Sequence, residues 1–479
     1  MCINWWHDFS VVFTDDTFHK FIMDIILVNP GDPRVDHVTE HLGIACLSSY
    51  VKSTGYRADT LDVALENITI FQAAEILHKC NPKIIGISLL DATKNKGFDL
   101  VKKLRSLGYS GAIVVGGYFP TFASEDILRD FSEIDYIVRG EGEYTLGELM
   151  DFIIAQKGSP DEIQGLTFRK QGKIIQNPAR PLIDNLDNLP FPDRKYAGKV
   201  LEKKSQLRVY GTRGCWGQCT FCDIIGLYGT SSGKVWRRKS AKRLVDELEQ
   251  LQASYHTSYF IFNDDQFLVK GVKSREYIKE FTQEISRRNL DIGFELMCRA
   301  DTVQKDIMLD LKKVGLKRVF LGLESFDPKQ LERYKKKISW RQNIKAVITL
   351  YKLEINVIAS VILADAYTTF MDLLTQFMII FKMRRRYFYS KHCQISINHK
   401  LEIYPGSKVY HEYKNKGLLY RDGYLEGYDF RLKPLTSLRL KLFEWEEDLH
   451  DIIVNPGRIG RNLFNIAKLK LADVKNLLV

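Results

Sequence analysis

The stretch GTRGCWGQCTFCD, residues 211–223, sets Cys215, Cys219 and Cys222 in a C-x3-C-x2-C pattern directly after the short apolar run LRVY. Three thiols this close, in a loop after a strand, point to metal chemistry. Cys thiolates hold iron-sulfur clusters, and a cubane cluster has four irons, so three local thiolates leave one iron open. An open iron can chelate the amino and carboxylate groups of a small molecule while the cluster delivers an electron to it. Glycines at 211, 214 and 217 let such a loop wrap tightly, and backbone amides aimed at the sulfurs help set the potential. A zinc knuckle needs a fourth ligand to close its tetrahedron. Asp223 is adjacent, but no Cys or His lies nearby at the usual spacing, which argues against zinc.

Working outward toward the C-terminus, the runs LRVYGTRG, SYFIFNDDQF, IGFELMCRA, RVFLGLES, INVIASVIL and QISINHKLEIYP predict six strands. Helical segments such as SAKRLVDELEQL and DIMLDLKKVG separate them, which predicts a partial (β/α)6 barrel over residues 201–405 with its chemistry on the loops after the strands. The region 406–479 is rich in Tyr, Lys and Leu and carries no readable motif.

Working toward the N-terminus, residues 23–155 alternate continuously apolar runs (MDIILVNP, KIIGISLL, AIVVGGYFP, IDYIVRGEGE) with amphipathic stretches, about five times. Strands buried on both faces read this way, so the expectation is an α/β domain with a parallel, Rossmann-like (flavodoxin-like) sheet. Ligands of such sheets sit at the carboxyl ends of the strands. That gathers Asn29, Pro30 and Gly31, then Ser88 and Leu89, then Gly116, Gly117 and Tyr118, then Gly140, Glu141 and Gly142 around one crevice. Between the two series, residues 156–200 read as a linker, hairpin-like in GLTFRKQGKIIQNPARP and proline-punctuated in NLDNLPFPDR. Residues 1–22 form an extension with no recognisable element.

Composition sets bounds on this reading. The chain has 479 residues, 45% hydrophobic and 27% charged, enough for two or three domains. Its formal charge of +11 is spread along the chain and is read as a solubility feature, so nucleic acid is not an expected partner. No stretch approaches the roughly 20 apolar residues of a membrane span, and the first residues lack a leader pattern, which predicts a cytoplasmic protein. Eight cysteines are too sparse for a disulfide scaffold. Two look-alike motifs fail on detail: GTSSGK at 229–234 is one residue short of a phosphate loop and is followed by Val235, and GEGEYT at 140–145 has Thr145 in place of the third glycine of a dinucleotide fingerprint.

Taken together, these residues resemble the cobalamin-dependent radical S-adenosylmethionine enzymes. The C-x3-C-x2-C loop with Phe221 before its last cysteine resembles the superfamily signature, and VGGYFPTFASEDIL, DYIVRGEGEYTLGEL, LDNLPFPDR, FNDDQF, CRADTV, GLKRVFLGLES and YPGSKVY resemble the family's running pattern over about residues 23–415. The resemblance implies a cobalamin-binding domain followed by a radical domain, with a 4Fe-4S cluster, S-adenosylmethionine and cobalamin as cofactors. It implies that Cys215, Cys219 and Cys222 ligate the cluster, that Phe221 belongs to that site, and that Arg299 and Glu324 contact S-adenosylmethionine. It also implies that Gly116 and Gly117, with Gly140, Glu141 and Gly142, approach the corrin; Tyr118 stands where many relatives carry His. Asp264 and Asp265 are candidate polar pocket residues. The D-x-H-x-x-G motif that supplies a lower axial His elsewhere is absent, because His37 and His41 have other neighbours, so no protein His is expected on cobalt. The implied reaction is methylation of an unactivated carbon through a 5'-deoxyadenosyl radical and methylcobalamin, with cobalamin-assisted cyclisation, ring contraction or rearrangement as the alternative. A transfer-RNA-modifying enzyme with a second cluster is disfavoured, since Cys46 and Cys80 fall in predicted helices and Gly117 fills the turn where that relative wants cysteine. An electron donor such as flavodoxin or ferredoxin is an expected partner; the substrate, whether small molecule, lipid or peptide, is not readable.

Overall fold

The computed structural model describes residues 23–31, 39–383, 393–421 and 428–430. His37, the extension before residue 23 and the tail after 430 lie outside the described residues. The first domain runs β1 (Ile25–Asn29), α1 (Leu42–Ser53), β2 (Ala58–Asp62), α2 (Ile70–Cys80), β3 (Ile84–Ser88), α3 (Lys94–Ser106), β4 (Ala112–Gly116), α4 (Tyr118–Asp130), β5 (Tyr136–Val138) and α5 (Gly142–Ala155). Its strands are apolar at successive positions because helices cover both faces: Ile25, Val28, Ile84, Ile85, Ile113 and Val115 are all 0% exposed. The parallel order β2-β1-β3-β4-β5 is the flavodoxin-like one, so the chain changes direction between β1 and β3 and opens a crevice at their carboxyl ends.

Residues 156–200, read above as a linker, are divided by the structure. Their first part forms β6 (Leu166–Lys170) and β7 (Lys173–Gln176), which extend the same sheet antiparallel to β5. The turn between them places Gln171 and Gly172 at φ values of 50° and 78°, the left-handed pair of a tight hairpin. Their apolar face belongs to the first core, with Leu166 and Phe168 buried. Only the remainder connects the domains.

The second domain runs α6 (Ala197–Glu202), β8 (Leu207–Val209), β9 (Thr212–Arg213), α7 (Asp223–Gly229), β10 (Arg237–Arg238), α8 (Ala241–Tyr255), β11 (Tyr259–Phe262), α9 (Val272–Arg287), β12 (Gly293–Arg299), α10 (Lys305–Lys313), β13 (Leu316–Glu324), α11 (Pro328–Arg333), α12 (Trp340–Lys352), β14 (Asn356–Ala364), α13 (Phe370–Met383), β15 (Cys393–Lys400) and α14 (Lys408–Asn415). Six parallel strands in the order β15-β14-β13-β12-β11-β8 form an open sheet, the partial barrel expected from the six apolar runs. Aromatic rings fill its core, with Phe262 stacked on Phe294 at 4.9 Å and Phe281 against both.

The connector 186–196 clasps the two domains. Asp193 accepts from Ser48 and Lys52 of α1 at 2.8 and 2.5 Å. Tyr196 accepts from the Asp62 N–H and donates to the Thr60 carbonyl. Arg194 is buried between Glu40 of the first domain, at 2.5 Å, and Glu247 of α8, at 2.7 Å, and donates to the Arg208 carbonyl at 2.9 Å. Lys239 completes the group with a 2.7 Å contact to Glu247, its ammonium lying 3.7 Å from the centre of the Tyr210 ring. Removing one member of such a buried network leaves charges without partners at a cost of about 3–5 kcal/mol. The Arg194→Met variant is therefore expected to lose about 3 kcal/mol or more in urea unfolding, with Arg194→Lys intermediate; equal stability of all three proteins would contradict the clasp.

Candidate cofactor cleft

A cavity of about 530 Å³ lies where the carboxyl ends of β1, β3 and β4 meet the strand ends of β8 and β11, so both domains wall it. Asn29, Ser88, Gly116, Gly117, Tyr118, Gly140, Glu141 and Gly142 all line it, as the strand-end argument expects. Pro30 and Leu89 stand behind the wall instead. Leu89 is fully buried, donating to the Gly116 carbonyl at 2.8 Å and accepting from the Phe119 N–H, while its neighbour Leu90 reaches the cavity.

Backbone forms much of the first-domain face, and one glycine there is required by geometry. Gly117 has φ 103°, and a Cβ on it would stand 2.8 Å from the Leu89 carbonyl oxygen. Glu141 lines the cavity, yet its carboxylate is held by Arg213 at 3.1 Å and Arg237 at 2.7 Å and accepts from the Ile183 N–H at 2.8 Å. It therefore clamps the second domain to the rim rather than presenting a free charge. Arg213 also pairs with Glu143 at 2.6 Å.

Sequence reasoning passed over His41 as a wall residue. Its ring, desolvated and held below the usual imidazole range, caps α1 by accepting from the Ile44 N–H at Nδ1, 3.2 Å away. With that lone pair engaged, the proton is assigned to Nε2, which donates to Ser88 Oγ at 3.2 Å. Both ring nitrogens are thus engaged within the protein. Tyr118, at the start of α4, lines the cavity, and burial raises its hydroxyl well above the ordinary phenol range, with the nearby acidic groups of Asp265, Tyr228 and Asp223 adding to the shift.

On the opposite wall, Asp265 lines the cavity and accepts from the Gly214 N–H at 3.0 Å, which ties the cavity directly to the cysteine loop. Asp264 does not reach it. One Asp264 oxygen accepts from the Gly211 N–H and from the Thr212 N–H and hydroxyl, bracing the strand end from which the loop departs. Burial raises that carboxyl to about 7. Gly214, at φ 80°, is the tightest point of the loop, since a Cβ there would lie 1.9 Å from the Val235 carbonyl oxygen.

Cys215, Cys219 and Cys222 are free thiols, Cys219 buried and the other two half-buried. Each has a different neighbour. Cys215 Sγ accepts from the Gly217 N–H at 3.3 Å, Cys219 Sγ accepts from Arg299 Nη1 at 3.3 Å, and Cys222 precedes α7 beside Asp223. Burial pushes the Cys215 and Cys222 thiols up, so a metal bound there would have to displace their protons. Among the described residues no group of three or more His, Cys, Asp or Glu is drawn together around a single ion. The donor set fits a cubane cluster with one open iron.

Arg299 reaches this loop at Cys219, and both Arg299 and Glu324 are engaged by protein partners. Besides Cys219, the Arg299 guanidinium donates to Asp301 at 3.0 Å and to the Lys336 carbonyl at 2.5 Å, and it lies 4.8 Å from the Trp216 ring centre. Glu324, in a left-handed conformation at φ 67°, pairs with the buried Lys336 at 2.7 Å. Lys336 was not legible in the run YKKK, where the middle lysine of three points inward. Phe221 packs on Tyr334 with ring centres 4.9 Å apart, which ties the loop to the turn after α11.

The comparisons with known proteins agree with this geometry. Residues 34–150 match the B12 binding domain model and residues 209–369 the radical SAM superfamily model. An uncharacterized methyltransferase of Pyrococcus horikoshii is 30% identical over 351 residues, 71% of this chain and 74% of that one. Hopanoid C-3 methylase of Methylococcus capsulatus is 27% identical, with 71% and 64% covered, and an anaerobic magnesium-protoporphyrin IX monomethyl ester cyclase of Rubrivivax gelatinosus is 26% identical, with 64% and 55% covered. The chain thus spans less than two thirds of the last two relatives. Among solved structures, the cobalamin-dependent S-adenosylmethionine radical enzyme OxsB with aqua-cobalamin bound superposes with a TM-score of 0.75 at 22% identity, covering 91% of this chain and 68% of that one. The radical S-adenosylmethionine methyltransferase TsrM of Kitasatospora setae gives 0.67 at 15% identity, with 83% and 76% covered; both are likenesses of fold.

The architecture is therefore that of a B12-binding domain joined to a radical S-adenosylmethionine domain. The chain belongs to the cobalamin-dependent radical S-adenosylmethionine enzymes, whose cofactors are cobalamin, a 4Fe-4S cluster and S-adenosylmethionine. No helix among the described residues is long and apolar enough to cross a membrane.

Gly117 gives the cleft a direct test. The Gly117→Ala variant must relieve both the positive φ and the contact with the Leu89 carbonyl, which is expected to cost about 1–3 kcal/mol and to weaken corrinoid binding measured by absorbance titration. Unchanged stability and unchanged binding would show that the cavity floor is not built as described.

Proposed function

We propose that the chain methylates an unactivated carbon of a natural product, peptide or lipid, using the two-walled cavity as the place where both cofactors face one substrate. The observation that carries the reading is the continuity of that cavity with the cysteine loop through Asp265 and Gly214. When bound, the cluster with S-adenosylmethionine supplies a hydrogen-abstracting radical and the cobalamin supplies the methyl group.

The chain's own residues have simpler tasks. Cys215, Cys219 and Cys222 hold the cluster. Arg299 donates to the Cys219 sulfur and, with Lys336, places positive charge beside it, which favours the reduced, more negative cluster. Glycines 116, 117, 140 and 142 would let a corrin approach backbone, and the His41 ring beside them is engaged by Ile44 and Ser88. Asp193 and Arg194 keep the two walls in register. An open-iron cluster also suits a reducing, cytoplasmic setting.

Methyl-labelled S-adenosylmethionine separates this reading from the cyclase-type alternative without knowing the substrate. The reduced, cobalamin-loaded enzyme is expected to release 5'-deoxyadenosine and to leave label with the protein-bound corrinoid, and a variant with Ala at all three cysteines to release no 5'-deoxyadenosine. Release of 5'-deoxyadenosine with no label on the corrinoid would refute methyl transfer and favour cyclisation or rearrangement.

A further inference from the structure

The turn after α11 is tied to the cysteine loop along its length. The Thr220 N–H donates to the Tyr334 carbonyl at 3.0 Å, the Thr220 hydroxyl to the Arg333 carbonyl at 2.9 Å, and Arg299 to the Lys336 carbonyl at 2.5 Å. Of the three lysines in this turn, Lys336 points inward to Glu324, while Lys335 and Lys337 are exposed. Both exposed lysines adopt left-handed backbone, at φ 49° and 54°. Gly or Asn would adopt that conformation at lower cost, so local backbone preference does not account for lysine at either position.

A third cation joins them from another strand end. Lys270 is half exposed, lies 5.4 Å from the Trp216 ring centre and pairs with Asp301, which is itself buried and already bound to Arg299. Lys337 Nζ approaches Gln218 Oε1 at 3.4 Å, an uncharged acceptor. Trp216 and Gln218 both lie between Cys215 and Cys219. Lys270 and Lys337, from two separate segments, thus stand against Trp216 and Gln218 of the cluster loop, and Lys335 is exposed on the same turn as Lys337. Exposed Glu332 is the acidic neighbour on the same turn.

We propose that Lys270, Lys335 and Lys337 form the docking face for an acidic one-electron donor protein of the flavodoxin or ferredoxin kind. The proposal rests on the radical-enzyme reading above, which requires a reductant, and adds where it docks. In the step served by this face, the reduced donor loses one electron, the oxidised cluster gains one, and no bond is made or broken. Complementary charge raises the encounter rate and fixes the approach so that the donor meets the loop that carries Cys219.

The test uses the full chain with its cluster reconstituted, a reduced acidic flavodoxin as donor, and dithionite as a small donor that needs no docking. The variant is Lys270→Glu with Lys335→Glu and Lys337→Glu, and the control is Lys313→Glu on the remote end of α10. We expect flavodoxin binding to weaken and flavodoxin-driven cluster reduction to slow by about tenfold or more in the triple variant at low salt, the difference shrinking at about 0.5 M salt. Reduction by dithionite is expected to stay unchanged, as is every property of the control. Equal flavodoxin affinity and reduction rate in the triple variant and the unaltered chain would overturn the docking face. A slowing of dithionite reduction to the same degree would also overturn it, because the lysines would then be supporting the cluster rather than a partner. If dithionite reduces no cluster even in the unaltered chain, the radical-enzyme reading falls and the docking face with it.

Discussion

A single buried guanidinium, Arg194, holds Glu40 of the first domain and Glu247 of the second at the same time. Everything functional in the molecule depends on that contact and its neighbours, because the cleft has one wall from each domain. Charges so deeply buried add little net stability over a well-packed apolar contact, but they are intolerant of displacement. A network that is satisfied in only one arrangement serves here to fix the separation and rotation of two sheets. Asp193, Arg213 and Glu141 repeat the device around the rim.

The same economy of charge operates at the cysteine loop. Arg299 pairs with Asp301 and Lys336 with Glu324, and one donor direction of Arg299 is left for the Cys219 sulfur. The loop is held from beneath by Asp264 and Asp265, from the side by the turn carrying Tyr334, and above by the tight approach of Gly214 to Val235. It is a rigid element placed at the end of an open sheet, the position where α/β folds present their chemistry.

The parts of this account legible in the sequence are those set by local chemistry. Continuous apolar runs gave both parallel sheets, and the three cysteines marked the candidate metal loop, because strand burial and thiolate spacing are written within a dozen residues. Asn29 and the glycines at 116, 117, 140 and 142 reached the cavity as expected, whereas Gly31 does not line it. What was not legible depends on pairing between distant segments. GLTFRKQGKIIQ looks like a free hairpin until the short β5 offers it an edge. Glu141 looks like a ligand contact until Arg213 and Arg237, some 70 to 100 residues on, take its carboxylate. Arg299 and Glu324 stand at the predicted place, but their partners Cys219 and Lys336 come from other loops. His41 carries no motif, and only its contacts with Ile44 and Ser88 reveal it as a wall of the cleft.

The central claim is that one chain carries two separable cofactors on the two walls of one cleft. Iron, sulfide and cobalt per chain, after strictly anaerobic reconstitution with cobalamin, test it most directly, alongside a variant with Ala at Cys215, Cys219 and Cys222. The account predicts about four irons and about one cobalt, with iron alone lost in the variant. Iron without cobalt in the unaltered chain, or retention of iron in the variant, would contradict it.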